Sequence, residues 1–375
     1  MRKIIFLLFL VLVFGSLGYY FRNNLKSENL LNRTADIFEV VSDDGQRQGE
    51  EAGRLSVSAS NLQIPWGLVF LPGGEILFTE RAGRVRLIDR DGNLIMSPVA
   101  TISEVSHIGE GGLLGIEIHP DFGNNGFVYL YYTYGKTGGN TLNRVARFKF
   151  DGKNLSDQKI ILDGIAGASN HNGGRLKFGP DGFLYITTGD GLQPSLSQNR
   201  QSLAGKILRV TDDGMPAPGN PFGNEVYSYG HRNPQGITWD ESGRLWSTEH
   251  GSSAKDELNR IEMGKNYGWP EIQGNEEREG MVSPQINSGS LTWAPSGAVF
   301  YNGSIFFAGL RGESLFEYEI ESGRLTRYLN GELGRIRDVV LGPDGLLYIA
   351  TSNQDGRGVP SSDDDKIIRV NPDKL

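Results

Sequence analysis

Residues 174–191 read GRLKFGPDGFLYITTGDG: an apolar strand, a turn at Gly182, then a second apolar strand. Five other stretches repeat that phrase. They are PWGLVFLPGGEILFTE (65–80), LLGIEIHPDFGNNGFVYLYYTY (113–134), GITWDESGRLWSTEHG (236–251), SGAVFYNGSIFFAGL (296–310) and DVVLGPDGLLYIATSN (338–353). The turn glycines, Gly74, Gly126, Gly182, Gly243, Gly303 and Gly345, lie 52, 56, 61, 60 and 42 residues apart. Short strands recurring every 40–60 residues or so predict a β-propeller with one four-stranded blade per repeat. The expected fold is therefore all-β, a six-bladed β-propeller. The alternating segment RLSVSA (54–59) is expected to supply the outer strand of the last blade, closing the ring so that no sheet edge stays open.

In a propeller the residues just before each innermost strand converge on one mouth of a central channel. Here they are Pro65-Trp66, Gly109-Glu110-Gly111, Asn170-His171-Asn172, His231-Arg232-Asn233-Pro234, Trp293-Ala294-Pro295 and Gly334-Arg335-Ile336-Arg337. Arginine forks suit carboxylates or phosphates, and several aimed at one point repel each other unless an anion sits between them. These residues predict a pocket for a small polyanion with a histidine beside it. The competing expectation is that the arginines pair with Asp or Glu of neighbouring blades.

The formal charge is −8 and no basic run exceeds a short pair, which argues against nucleic acid as a partner. The chain has no cysteine, so disulfides, thiolate metal sites and cysteine nucleophiles are excluded. No Gly-x-Ser-x-Gly elbow and no G-x-G-x-x-G opening a helix occur, which removes acyl-transfer and nicotinamide chemistry. Arg2-Lys3 precede the apolar run Ile4–Phe14, and apolar character continues through Phe21. Residues 1–21 read either as a secretory signal or as an uncleaved signal anchor, since about 18 apolar residues just span a bilayer. Both readings export the body of the protein to the periplasm or the cell exterior, with membrane attachment only through that anchor. Residues 22–53 read as a polar tether and residues 54–375 as the propeller.

The segment STEHGSSAKDELNRIEMGKNYGWP (247–270), followed by GNEERE (274–279), concentrates carboxylates on irregular loops. Such loops hold hard cations such as calcium, or are simply solvated. Of the five histidines, His171 stands out, because asparagines and glycines around it leave room for a ligand. His107 and His119 read as structural, His231 as a support for Arg232, and His250 as a group behind the acidic loop.

Taken together, PWGLVFLP, GEGGLLGIEIHPDF, HNGGRLKFGPDGFLYITTGDG, YGHRNPQGITWD, EHG followed by DELNRI, GKNYGWP and RIRDVVLGPDG resemble the soluble quinoprotein sugar dehydrogenases. This is the glucose/sorbosone dehydrogenase family, and the likeness is to its aldose sugar dehydrogenase branch over roughly residues 56–372. The resemblance implies a six-bladed propeller that oxidises aldoses at the anomeric carbon to lactones. It implies pyrroloquinoline quinone (PQQ), a tricarboxylate, and Ca2+ as cofactors, with an external electron acceptor. His171 matches the general base and Arg232 the arginine that polarises the quinone oxygen. Asn233, Arg311, Arg335 and Arg337 match cofactor-binding positions. Gly251 and Ser252 match carbonyl donors to a cofactor-side calcium, Glu257 and Tyr267 ligands of a neighbouring one, and Gln273, Asn275 and Glu277 a further site. Two positions depart from the pattern. Glu110 stands where the family has a cofactor-contacting glutamine, and its carboxylate would oppose an anionic cofactor unless protonated or turned away. Ser252 replaces a common proline.

Two other functions use the same fold. A quinone-free propeller acting as a glycan or protein binding module has no need of His171 together with Arg232, Arg335 and Arg337. A calcium-dependent propeller lactonase would place carboxylates and amides around an axial ion, where this chain places arginines.

Overall fold

The computed structural model describes residues 53–135 and 141–375, together with the backbone of a two-residue strand, Val41–Ser42, lying parallel to the outer strand of the fifth blade. Residues 1–21, read above as a signal or anchor, lie outside the described residues. Among the described residues no helix is long and apolar enough to cross a membrane.

Six antiparallel sheets follow one another around a ring. Their innermost strands are Pro65–Phe70, Leu113–Ile118, Leu176–Phe178, Pro234–Trp239, Pro295–Tyr301 and Ile336–Leu341, defining blades 1 to 6. Each begins one of the six repeats, and each turn glycine joins it to the second strand of its blade. Those glycines sit at φ between +65° and +93°, the left-handed region a side chain avoids. Ring closure is as expected: Leu55–Ala59 pairs antiparallel with Ile367–Val370 in blade 6, so the two ends of the propeller sequence share one sheet. Apolar faces of adjacent blades bury one another. Trp66, Phe78, Tyr129, Tyr131, Trp246 and Phe307 are all fully enclosed.

The strand openings at the channel mouth are irregular. Register slips at the start of the inner strands of blades 1, 2, 4, 5 and 6. Such bulges bend a strand and re-aim its side chains. Threonines of the second strands satisfy the freed backbone groups: Thr79 Oγ1 accepts from Gly67 N and donates to Leu114 O, and Thr248 Oγ1 donates to Ser296 O.

Behind the bulge, four inner strands carry glycine at the same position, Gly67, Gly115, Gly236 and Gly297. A Cβ at each would lie 3.3, 2.1, 2.3 and 1.8 Å from atoms of the next blade. The strands therefore meet backbone to backbone near the axis. Blades 3 and 6, opposite one another, depart from this rule and place Arg175 and Asp338 there. The two side chains join across the channel, with Nη1 to Oδ2 3.0 Å apart. Arg175 also donates Nε to Gln235 O (2.9 Å) and lies 4.4 Å over the Trp66 ring, while Asp338 accepts from Leu68 N (3.1 Å). The pair crosses the channel behind the mouth. Two residues further along their own strands, Lys177 follows Arg175 in blade 3 and Glu117 follows Gly115 in blade 2.

Candidate active site

A cavity of about 330 Å³ opens at the mouth, within the size range of small-ligand sites. It is lined by Glu110, His171, Arg232, Asn233, Arg311, Arg335 and Arg337, so blades 2 to 6 bring every expected catalytic and cofactor-binding residue to one place. Gly251 and Ser252 line it too. Glu257, Tyr267, Gln273, Asn275 and Glu277 do not.

His171 is held by its neighbours at both ends. Its backbone is left-handed (φ 60°) and its carbonyl accepts from Gly191 N. Its Nδ1 lies 2.7 Å from Asp190 Oδ1. Asp190 is fully buried and also accepts from Leu192 N (2.8 Å) and Trp269 Nε1 (2.9 Å). An ionised carboxylate only accepts, so Nδ1 carries the proton and Nε2 is left basic. Arg232 is fixed through its backbone: its N–H donates to Glu249 Oε1 and its carbonyl accepts from Asp190 N. Glu249 also takes His231 Nδ1 (2.8 Å), and His231 stacks on Tyr267 with ring centroids 4.8 Å apart. His231 is thus the support the sequence suggested. The Arg232 guanidinium lies 5.3 Å over the Trp269 ring with Nε buried and unpaired. Asn233 Oδ1 accepts from Gly173 N (3.0 Å), and its amide N–H₂ is available to a ligand.

The opposite side holds the other arginines. Arg335 donates Nε and Nη2 to Asp355 Oδ2 (3.1 and 2.8 Å), both residues being buried. Arg337 donates Nη1 to Gln235 Oε1 (2.8 Å), and its Nε is buried and unpaired. Burial, partly offset by Asp355, pushes the Arg337 guanidinium down to about 9. Arg311 reaches the cavity from an exposed position. Glu110 forms an ion pair with Arg357, another wall residue, while its Oε2 is buried without a partner. Burial opposes ionisation of Glu110, but His250, Arg357 and Arg337 outweigh it and hold the carboxyl at about 2. Burial also lowers the His250 imidazole, so at neutral pH the two arginines carry that effect. Of the three expected mouth arginines, Arg335 pairs with Asp355 of its own blade rather than a neighbouring one, while Arg232 and Arg337 keep buried donors unpaired.

Residues that precede inner strands were legible as mouth residues. Asp190, His250, Asp355 and Arg357 were not singled out as such, yet each follows the second strand of its blade. Antiparallel pairing returns that strand to the face where the first began. The positions after TTG, STE and IATSN were therefore the available signal.

The calcium positions divide. Asp256 ties the 251 loop to blade 5, accepting from Gly251 N, Trp293 N and Ala294 N at 2.7–2.9 Å. Glu257 accepts from Gly274 N and Asn259 Nδ2, and burial, with Glu249 and Asp256 nearby, raises its carboxyl. The Tyr267 hydroxyl is committed to Arg260 O and Glu262 N, so only its backbone carbonyl would be open to a cation. Gln273 Oε1 accepts from Ser252 Oγ and Asn275 Oδ1 from Asn287 Nδ2. Among the described residues no three His, Asp or Glu side chains cluster as a metal site, so a cation here would depend on backbone carbonyls.

A propeller mouth that gathers arginines around a carboxylate-held histidine suits a small anion, and likeness to known proteins decides the class. The glucose/sorbosone dehydrogenase profile matches residues 62–367. The chain is 32% identical over 339 residues to the aldose sugar dehydrogenase YliI of Escherichia coli, covering 80% of this chain and 91% of that one. It superposes with a TM-score of 0.78 and 41% identity on the PQQ-bound aldose sugar dehydrogenase of Streptomyces coelicolor, covering 84% and 97% of the two chains. A putative glucose dehydrogenase of Thermus thermophilus gives 0.79 and 43%, covering 84% and 99%. The chain belongs to the glucose/sorbosone dehydrogenase family, a family of sugar dehydrogenases.

Proposed function

We propose that this protein oxidises aldose sugars at the anomeric carbon to lactones, using PQQ and calcium and passing electrons to an external acceptor. The observation that carries this reading is the coexistence, in one cavity, of buried unpaired arginine nitrogens with a histidine whose Nε2 is left basic. Arg232 Nε and Arg337 Nε each leave a buried donor unmet, which costs free energy until an anion arrives. A planar tricarboxylate fits that demand. Arg232, Asn233, Arg311, Arg335 and Arg337 would hold it, with the carbonyls of Gly251 and Ser252 supplying a calcium beside it and Glu257 and Tyr267 a neighbouring one. When bound, the quinone supplies a two-electron acceptor for the hydride of the sugar carbon. His171 Nε2 removes the proton of the anomeric hydroxyl, and Asp190 holds the imidazole in the required tautomer and stabilises it once charged. Trp269 keeps Asp190 in place and closes one side of the Arg232 guanidinium. Support for export comes from residues 2–21 of the sequence.

The test is reconstitution of ligand-free protein with PQQ, with and without calcium. Holoprotein is expected to show a quinone absorbance that bleaches on adding aldose and is lost to chelation. Arg337→Ala should weaken quinone binding about 10–100-fold, since a charge-assisted contact is worth roughly 1.5–3 kcal/mol. A wild-type protein whose spectrum and melting temperature ignore saturating quinone and calcium overturns the reading.

A further inference from the structure

Two carboxylates face the arginines of the cavity, and they differ in kind. Asp355 is buried against a buried Arg335, with side-chain exposures of 2% and 7%. It also accepts from Ser352 Oγ and Arg357 N, so it is fixed from several sides. Glu110 and Arg357 form the looser pair, with exposures of 17% and 50%. The two residues are 247 positions apart and are brought together only by closure of the ring. The backbone of Glu110 is fixed. Its N–H donates to Ser169 O (2.7 Å), tying it to the segment that carries His171, and a Cβ at the preceding Gly109 would sit 2.2 Å from that same carbonyl. Arg357 can move, since it is half in solvent and lies between Gly356 (φ 87°) and Gly358.

Resting on the reading of this cavity as a site for an anionic cofactor, we infer that Glu110 is an internal counter-ion that sets how tightly the anion binds, with Arg357 as its releasable partner. Without a ligand, Glu110 holds Arg357 and offsets the field of the arginine cluster. An arriving carboxylate competes with Glu110 for Arg357 and faces the repulsion of the carboxylate left behind. Glu110 remains ionised to about 2, so this antagonism operates throughout the working pH range. The arrangement costs affinity and stabilises the empty pocket. Arg335 and Arg337, held from behind by Asp355 and Gln235, are the permanent grip.

A double-mutant cycle on the full-length ligand-free protein tests this, read by PQQ titration of tryptophan fluorescence and by melting temperature without ligand. Glu110→Gln is nearly isosteric and should bind PQQ about tenfold tighter while melting lower when empty. Arg357→Gln exposes Glu110 to the anion and should bind about tenfold weaker. The double variant should depart from the product of the two single effects, which marks the two residues as a coupled pair, and strict multiplicativity overturns the pairing. Wild-type binding with unchanged affinity in both single variants overturns the counter-ion and leaves the cofactor reading standing. If wild type does not bind PQQ, the cofactor reading falls, and the same cycle titrated with citrate decides the pair. Tighter citrate binding by Glu110→Gln then sustains the inference, and equal affinity overturns it.

Discussion

The two walls of the cavity are built in opposite ways. On the histidine wall the buried carboxylates are spoken for: Asp190 holds His171, Leu192 N and Trp269, and Glu249 holds His231 and Arg232 N. On the arginine wall a buried nitrogen of Arg337 has no partner, and one oxygen of Glu110 is likewise unmet. The carboxylates of the first wall are fully engaged as they stand, whereas each wall keeps one unpaired arginine nitrogen, Arg232 Nε and Arg337 Nε, for a ligand. A general base must be aimed before substrate arrives, whereas a cofactor grip gains affinity from donors that nothing else satisfies. Behind both walls the pair formed by Arg175 of blade 3 and Asp338 of blade 6 crosses the channel.

Removing the base breaks this contrast most directly. His171→Gln should lower turnover about 10²–10⁴-fold, the usual worth of a positioned general base. PQQ affinity and melting temperature should stay near wild type, because the arginine wall is untouched. Stopped-flow reduction on quinone-loaded protein checks this, and near-normal turnover would remove His171 from the chemistry.

The second test asks whether the walls depend on the pair beneath them. Asp338→Ala leaves Arg175 buried without its partner, which typically costs about 3–5 kcal/mol. Replacing both, Arg175→Met with Asp338→Leu, should recover most of that loss, as apolar substitution of a buried pair often does. Urea denaturation measures both. Equal destabilisation of the single and double variants would mean the residues do not act as a pair.

The smallest effect concerns Glu117, which belongs to neither wall. Burial pushes its carboxyl up to about 7 despite Lys177. A raised acid pKa means the folded chain prefers the protonated form. Its contribution is therefore complete below the ordinary value of 4.5 and is lost as pH rises through about 7. Glu117→Gln should match wild type in acid and gain stability above neutrality. The gain should be about 1–2 kcal/mol at most, since one pKa unit is about 1.4 kcal/mol and partial exposure discounts it. Melting curves across pH decide it, and a constant offset at every pH would contradict the shift.

The sequence by itself determined the ring and the ligand-facing residues that open each blade. Turn glycines and alternating strands are local signals, legible within about twenty residues, and six copies allow little but a propeller. The arginines and His171 were legible because residues before inner strands share one mouth. Only the tertiary structure decided which charges meet. Asp190 beside His171, Asp355 behind Arg335, Arg357 on Glu110 and Arg175 across the channel to Asp338 join residues from 19 to 247 positions apart. Their pairing depends on the angle at which each blade presents a side chain to the axis. That angle is set by bulges, by backbone approach at Gly67, Gly115, Gly236 and Gly297, and by closure through Leu55–Ala59. Periodicity says that a residue faces the channel; only the closed ring says what it faces.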